Sequence, residues 1–316
     1  MKVVVFGYHD VGCACLRALI EGGADVVLVV THEDDPDENI WFGSVEAIAR
    51  AAGISVIKPA DANTAGVVDR IRALGPDIFV SCYFRQILGP GLLSIPARGA
   101  FNMHGSLLPK FRGRAPVNWV LVKGETETGV TLHVMAEKPD RGDIVGRRRV
   151  PIDDEDTALT LHRKCAAAAG ALMRELWGLI EAGTAPRIPQ DPSMASYFGR
   201  RRPEDGRIDW SRPARECRNL VRAVTHPYPG AFTIASGRKM FVWKTTLVGE
   251  GQAGIRARGN SAAPGTIVAV EKGRGFHVAT GEGTLLAERV QLEGGEEMQG
   301  DETVTAGLVA LGQRLG

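Results

Sequence analysis

Short apolar runs that alternate with helical stretches fill the first half of this chain and leave few folds open to it. The runs are rich in Val, Ile and Phe, and they lie at residues 2–6, 25–31, 55–57, 77–82 and 99–103. Strands joined by helices of this length form right-handed crossovers and a mainly parallel, doubly wound sheet. We therefore predict an α/β unit whose ligands bind beyond the carboxyl ends of the strands.

The second half of the chain changes character after residue 183. Helical spacing over 156–181 gives way to a proline-rich stretch, and beyond a helix at 214–224 the chain consists of short β-type runs cut by glycines. Such runs are typical of a small β-barrel. Because 316 residues exceed the usual size of a single core, we expect two domains. These are a catalytic domain over 1–190 and a β-barrel domain over 207–316, joined by a linker over 191–206.

Composition narrows the class of protein. Lys and Arg number 38 against 37 Asp and Glu, for a net charge of +1, so the charge balance argues against a nucleic-acid binder. The five cysteines lack metal-ligand spacing, which favours reduced, buried thiols over zinc or disulfides. No apolar run is long enough for a membrane span, and the N-terminus lacks a signal-peptide pattern. We expect a cytoplasmic protein that does not insert into membranes.

The most informative motif for function runs from Phe101 to Pro109 and reads Phe-Asn-Met-His-Gly-Ser-Leu-Leu-Pro. It starts in an apolar strand, where residues two apart point to the same side, so Asn102 and His104 should face one pocket. An amide donor beside an imidazole suits a reaction that builds an oxyanion and moves a proton. The alternatives are a hydrogen-bonded core histidine at position 104 and a turn asparagine at position 102.

Two further residues concern the same pocket. Asp140 lies in a loop between two predicted strands, at 129–135 and 144–150. Its carboxylate is either part of a solvated hairpin turn or a partner of His104, in which case it would orient the ring and raise its pKa. His133 lies in the alternating strand before that loop, and we interpret it as structural.

Three other patterns have simpler interpretations. Gly7 and Gly12 lack the spacing of a dinucleotide fingerprint and predict only a tight strand-to-helix turn. The pairs at 9–10 and 32–35 follow strand ends and are candidate substrate contacts, although the second resembles a solvated acidic loop. The arginines at 200–202 are either a phosphate site or an exposed charge run.

The motif Asn102-x-His104-Gly-Ser-Leu-Leu-Pro109-x-x-Arg112-Gly113, with Asp140 beyond it, resembles the signature of the 10-formyltetrahydrofolate-dependent formyltransferases. The resemblance implies a Rossmann-like doubly wound sheet followed by a small OB-like β-barrel. It implies Asn102, His104 and Asp140 as the catalytic residues and 10-formyltetrahydrofolate as the formyl donor, with no metal. It also implies that the donor lies near a set of loop residues, namely Gln86, Ile87, Leu88, Arg114, Ala136, Glu137, Lys138 and Pro139.

Within the family, five stretches resemble the members that formylate UDP-4-amino-4-deoxy-L-arabinose for lipid A modification and polymyxin resistance. They lie at residues 6–13, 114–122, 124–133, 198–205 and 227–232. The expected partners are therefore a nucleotide-linked amino sugar and folate. Those members continue into an NAD-dependent decarboxylase domain that this sequence lacks, so we expect no NAD binding. The alternatives are a methionyl-tRNA formyltransferase, a formyltransferase for another nucleotide amino sugar, and a non-catalytic folate or nucleotide sensor. The sequence leaves the oligomeric state open.

Overall fold

A computed structural model describes residues 1–249 and 253–316 of the chain. The chain divides into two compact units. The first comprises residues 1–116, 126–153 and 161–199, and the second comprises residues 117–125, 154–160 and 200–316. The boundaries at 190 and 207 stay a prediction, and residues 191–199 lie in the first unit.

The elements follow one another along the chain as the sequence pattern suggests. Up to residue 182 they are β1 (Lys2–Gly7), α1 (His9–Glu21), β2 (Asp25–Val30), α2 (Val45–Ala51), β3 (Val56–Ile57), α3 (Ala65–Ala73), β4 (Ile78–Cys82), α4 (Pro90–Leu93), β5 (Ala100–His104), β6 (Arg112–Gly113), α5 (Pro116–Val122), β7 (Glu127–Val134), β8 (Ile144–Pro151) and α6 (Ala158–Ala182). Beyond it come β9 (Tyr197–Phe198), α7 (Ala214–Val224), β10 (Ala231–Ala235), β11 (Arg238–Leu247), α8 (Ala253–Ser261), β12 (Ile267–Glu271), β13 (Gly275–Ala279), β14 (Thr284–Leu292), β15 (Glu297–Gln299) and α9 (Gly300–Thr305). Two short 3₁₀ turns flank β9, at Pro192–Met194 and Pro203–Gly206.

The first unit is built on a seven-stranded sheet in the order β3-β2-β1-β4-β5-β7-β8. The pairs from β3 to β5 are parallel, whereas β7 and β8 are antiparallel to their neighbours. The central strand β1 is buried on both faces, with Val3, Val4 and Val5 fully inaccessible. Continuous β-branched runs are typical of such strands, because each face must cover apolar surface. The predicted α/β fold with a mainly parallel doubly wound sheet is confirmed.

A close helix–sheet contact fixes the turn between β1 and α1. A Cβ atom on Gly12 would lie 2.9 Å from Val45 Cγ2 and 3.3 Å from the carbonyl oxygen of Cys82. Only glycine therefore lets α1 approach the end of β4 this closely. The turn itself passes through His9, whose φ is +65°, and it places His9 and Asp10 at the carboxyl edge of the sheet.

The second unit contains a six-stranded antiparallel sheet. Five strands run in the order β10-β11-β14-β13-β12, and β15 pairs with β14. Its core side chains include Met240, Val242, Phe276 and Val290, all fully buried. The predicted fold class, a Rossmann-like sheet followed by a separate β unit, is thus confirmed.

Two expectations from composition concern the whole chain. All five cysteines are free and buried, in agreement with the prediction of reduced thiols. Within residues 1–249 and 253–316, no helix combines the length and the apolar character needed to cross a membrane.

Candidate active site

The site is built at the end of β5, where the chain leaves the sheet. In register, Asn102 pairs with Ser81 of β4 on one side and with His133 of β7 on the other. His104 is the last residue of the strand and is only 6% exposed. One inner strand, β5, therefore carries both the amide and the imidazole, at the carboxyl edge where a site is expected in such a sheet.

His104 is held by the loop that follows it. Its Nε2 lies 2.8 Å from the carbonyl oxygen of Phe111. A carbonyl only accepts, so Nε2 carries the proton and donates it to Phe111. Its Nδ1 lies 3.5 Å from Oδ1 of Asp140. The structure thus brings Asp140 to His104, a contact that the sequence leaves open.

Asp140 is fixed by its own backbone and by two neighbours. Its φ is +58°, a left-handed conformation that Asp tolerates better than most residues. Its Oδ2 accepts a hydrogen bond from the backbone N–H of Gly113 at 2.9 Å. The Gln190 amide donates to the carbonyl oxygens of Asp140 and Gly142 at 2.9 and 2.8 Å. Gln190 thereby ties the loop that carries Asp140 to the rest of the site.

His133 joins this cluster, although the sequence indicates only a structural role for it. Its Nδ1 lies 2.9 Å from the carbonyl oxygen of Val134 and so carries the proton. Its Nε2 then accepts from Nδ2 of Asn102 at 3.1 Å, and it also lies 3.6 Å from Oδ1 of Asp140. Strand alternation could not reveal this contact, because the pairing of β5 with β7 sets it.

The electrostatics of His104 differ from the expectation. Burial lowers the pKa of His104, and this outweighs the carboxylate of Asp140 and the bond to Phe111, which raise it. Asp140 thus raises the pKa of His104, as predicted, but the net pKa lies below its ordinary value, because the cost of removing the imidazolium from water exceeds the stabilisation by the nearby carboxylate. Burial also raises the pKa of Asp140, yet His104, His133 and the Gly113 N–H together lower it below its usual value.

The loop from Gly105 to Gly113 is held on several sides. The Ser106 hydroxyl donates to the carbonyl of Lys110 at 2.7 Å. The Thr131 hydroxyl donates to the carbonyl of Ser106 at 2.7 Å and accepts from the N–H of Leu108 at 3.1 Å. The short pair of β6 with β9 holds the far end of the loop. A loop with this many bonds positions His104 without any ligand present.

Comparisons with known proteins identify the family of the chain. The chain matches the formyl transferase family over residues 1–176 and the formyl transferase C-terminal domain over residues 201–306. The chain belongs to the formyl transferase family. It is accordingly an enzyme, a formyltransferase.

Solved structures of this fold span most of the chain. One is WlaRD, a sugar 3N-formyl transferase solved with dTDP and 5-N-formyl-THF, at 20% identity and a TM-score of 0.67, covering 91% of this chain and 97% of that one. Another is the N-formyltransferase from Helicobacter canadensis in complex with folinic acid and dTDP-3-aminofucose, at 22% identity and 0.68, covering 91% and 98%. A third is methionyl-tRNA formyltransferase from Clostridium thermocellum, at 14% identity and 0.55, covering 78% and 94%. At these identities the likeness shows the fold alone.

The predicted donor residues lie on two loops and differ in exposure. Gln86 accepts from the N–H of Ala62 at 2.8 Å and donates to the carbonyl of Ala60 at 2.9 Å. Ile87 is 63% exposed, whereas Leu88 packs into the core of the sheet. Ala136, Glu137, Lys138, Pro139 and Arg114 are exposed. Met135 packs against the core cluster that contains Leu88, so the two loops border the same part of the unit. Folate binding by these residues stays a prediction.

A second polar cluster of the first unit lies around Asp10, which the sequence marks only as following a strand end. Asp10 Oδ2 is 3.8 Å from Nδ1 of His9 and 3.4 Å from Nε2 of His162. His162 lies on α6, more than 150 positions later in the sequence. No sequence signal joins the two, since the helix packing brings them together. The other candidate substrate contacts, at 32–35, include two side chains with partners in the protein. His32 accepts from the N–H of Arg85 at 3.0 Å, and Asp34 accepts from the Tyr8 hydroxyl at 2.7 Å.

Proposed function

We propose that this formyltransferase moves the formyl group of 10-formyltetrahydrofolate to the primary amine of a nucleotide-linked amino sugar. The observation that carries the proposal is the cluster of a buried His104 with a half-buried Asn102 and Asp140 at the end of β5. An amide donor, a neutral imidazole and a carboxylate together suit attack of an amine on a formyl carbon. The described geometry also makes a sensor on the same fold the weaker alternative, since a sensor needs no such set.

The proposed chemistry follows from the state of each group. The amine nitrogen attacks the formyl carbon and gives a tetrahedral intermediate with a negative oxygen. The Nδ2 amide of Asn102 donates a hydrogen bond to that oxygen, and a donor of this kind is typically worth about 10²–10³ in rate. Since His133 accepts the other N–H of the same amide, Asn102 is oriented before substrate arrives.

Proton transfer completes the exchange. Because burial lowers the pKa of His104, the ring starts neutral and accepts the proton that the attacking amine loses. The carboxylate of Asp140, 3.5 Å from Nδ1, stabilises the imidazolium that forms. The proton then passes to the folate nitrogen as the bond between that nitrogen and the formyl carbon breaks. A formamide and tetrahydrofolate result, and no charge is left unbalanced.

Two observations support the identity of the acceptor. Two structures of the same fold carry dTDP or dTDP-3-aminofucose, which supports a nucleotide-linked amino sugar. The stretches at 6–13, 114–122 and 124–133 support UDP-4-amino-4-deoxy-L-arabinose in particular. We propose this sugar as the acceptor, in the cytoplasm, with lipid A modification as the use of its product.

One experiment separates the candidate acceptors. The protein is mixed with 10-formyltetrahydrofolate and, in parallel, with UDP-4-amino-4-deoxy-L-arabinose, dTDP-3-aminofucose or methionyl-tRNA, and release of tetrahydrofolate is followed. We expect the largest kcat/KM with the UDP sugar. Faster release with dTDP-3-aminofucose would support a nucleotide-linked amino sugar as the acceptor but would rule out the UDP sugar as the preferred one. Release with methionyl-tRNA and neither sugar would overturn the proposal.

A further inference from the structure

The cluster around Asp10 brings a carboxylate oxygen and two imidazole nitrogens together without a well-formed hydrogen bond between the side chains. One atom from each of His9, Asp10 and His162 lies within 4.8 Å of the other two. Asp10 uses Oδ1 to accept the N–H of Gly43 at 2.8 Å, which leaves Oδ2 directed at the two histidines. The His162 side chain is 3% exposed, and its Nε2 has no hydrogen-bond partner in the described part of the chain.

The His9 ring is neutral, and its one acceptor nitrogen is already engaged within the protein. The backbone N–H of Asp10 donates to Nδ1 of His9 at 3.0 Å, so this nitrogen carries the lone pair. Burial, followed by the neighbouring His162, lowers the pKa of His9 to about 3. A neutral ring at this place leaves the charge of Asp10 without an imidazolium from His9 to balance it.

Aromatic rings surround the same atoms. Phe42 stacks on His9 with 3.8 Å between ring centroids. Trp41 meets His9 edge-on at 4.6 Å and His162 at 5.3 Å. Tyr83 lies 5.8 Å from His162. Aromatic rings thus border both histidines beside Asp10, and the apolar surroundings strengthen the attraction of that carboxylate for a cation.

The cluster is contiguous with the catalytic loop. A Cβ atom on Gly105, the residue after His104, would overlap the hydroxyl of Tyr83. The ring of Tyr83 therefore spans the space between the end of β5 and His162. A group bound at Asp10 and a group attacking beside His104 share this wall.

We propose that His9, Asp10 and His162 form the site that receives the protonated amine of the acceptor. A primary ammonium has three N–H donors and no acceptor, and it complements Oδ2 of Asp10 and the unpartnered Nε2 of His162, with the neutral ring of His9 beside them. This inference rests on the proposed function, because the amine that it places at this site belongs to the proposed acceptor. Before attack, one N–H bond of the ammonium breaks, its electron pair stays on nitrogen, and its proton passes to Nε2 of His162. The neutral amine then leaves Asp10 and passes Tyr83 to reach the formyl carbon beside His104. The carboxylate of Asp10 pairs with the resulting imidazolium.

The test compares two sugars that differ only at the amine. Binding of UDP-4-amino-4-deoxy-L-arabinose and of UDP-L-arabinose, which has a hydroxyl there, is measured by calorimetry without folate. We expect the wild type to prefer the amino sugar by about 10–100-fold, the range of a charge-assisted hydrogen bond. Asp10→Asn keeps an oxygen for the Gly43 N–H but removes the charge, and it should bind the two sugars alike. His162→Gln should lose most of the preference as well.

Asp69→Asn serves as the matched control, because Asp69 is an exposed acid of the same unit that pairs with Arg72. The control should keep the wild-type preference. An unchanged preference in both Asp10→Asn and His162→Gln, with formyl transfer intact in the wild type, would overturn the ammonium site alone. Tight Zn²⁺ binding by the wild type that Asp10→Asn abolishes would assign the cluster to a metal instead. Failure of the wild type to formylate any amino sugar would overturn the proposed function, and the ammonium site, which rests on it, would fall as well.

Discussion

The two polar clusters of the first unit use the same residue types in opposite ways. At the end of β5, the imidazole of His104, the amide of Asn102 and the carboxylate of Asp140 each have a protein partner. Around Asp10, the nitrogen of His162 and a carboxylate oxygen face each other at 3.4 Å without a well-formed hydrogen bond between them. The difference suggests that the first cluster is organised in advance for chemistry, whereas the second is incomplete until a cation arrives. Variants in the first should change kcat, and variants in the second should change acceptor selection.

The largest effect that tests this difference between the clusters is expected for His104→Ala. We expect kcat to fall by at least about 10²–10³-fold, because the proton acceptor of the reaction is lost. Folate binding, measured by fluorescence quenching, should stay within a few-fold of the wild type. A variant that turns over normally, or one that loses only acceptor affinity, would remove the distinction between the clusters.

His133→Ala tests whether the partners of the first cluster matter for rate. The amide of Asn102 loses its acceptor, so we expect kcat to fall by about tenfold, as for other residues that orient a reacting group. The double variant with Asn102→Ala should lose little more than Asn102→Ala alone, since residues in one network do not act additively. Full additivity in steady-state assays would show that His133 does not act through Asn102.

Thr131→Val tests the rigid frame of the first cluster. Thr131 is fully buried, and its hydroxyl bonds both Ser106 and Leu108. The substitution leaves a buried carbonyl and a buried N–H unpaired, so we expect the free energy of unfolding to fall by about 1–3 kcal/mol. Urea denaturation measures this. Thr160→Val on the exposed start of α6 is the control and should cost less, because water replaces its partners.

The smallest effect concerns pH and the aromatic region beside the second cluster. Burial and the charge of Arg85 lower the pKa of His32 to about 4, from an ordinary 6.5. The unfolded chain therefore binds this proton first, so the stability due to neutral His32 is complete above pH 6.5 and is lost as the pH falls toward 4. Between pH 7 and pH 5 we expect His32→Gln to lose about 1 kcal/mol less unfolding free energy than the wild type. Urea denaturation at pH 7 and pH 5 measures the drop in unfolding free energy of each protein. An equal drop in the wild type and in His32→Gln would contradict this assignment.

Much of the fold can be predicted from residue patterns. The β-branched runs give β1, β2, β4 and β5 within a residue or two. The two-residue strands β6 and β9 cannot be found like this, since they exist only because Arg112 and Gly113 meet Tyr197 and Phe198 across 85 positions. Long-range pairing leaves no local periodicity.

The residues of the candidate site also differ in whether a local sequence pattern indicates them. Asn102 and His104 lie two apart on a strand, and the sequence indicates them. Gln190 and His162 show no such signal, because Gln190 follows a proline in a segment that resembles a linker and His162 lies on an apolar helix. Their roles depend on tertiary contacts, namely with the loop of Asp140 and with Asp10.

Gly105 has no side chain, and this lets Tyr83 lie directly against the residue that follows His104. A methyl group there would push Tyr83 aside, toward His9 and His162, while leaving the bonds of His104 to its own loop in place. Gly105→Ala should therefore uncouple how well the acceptor is held from how well the formyl group is activated. A protein engineer seeking to change the accepted amine would have, at this one position, a means of reshaping the acceptor pocket without altering the reacting groups.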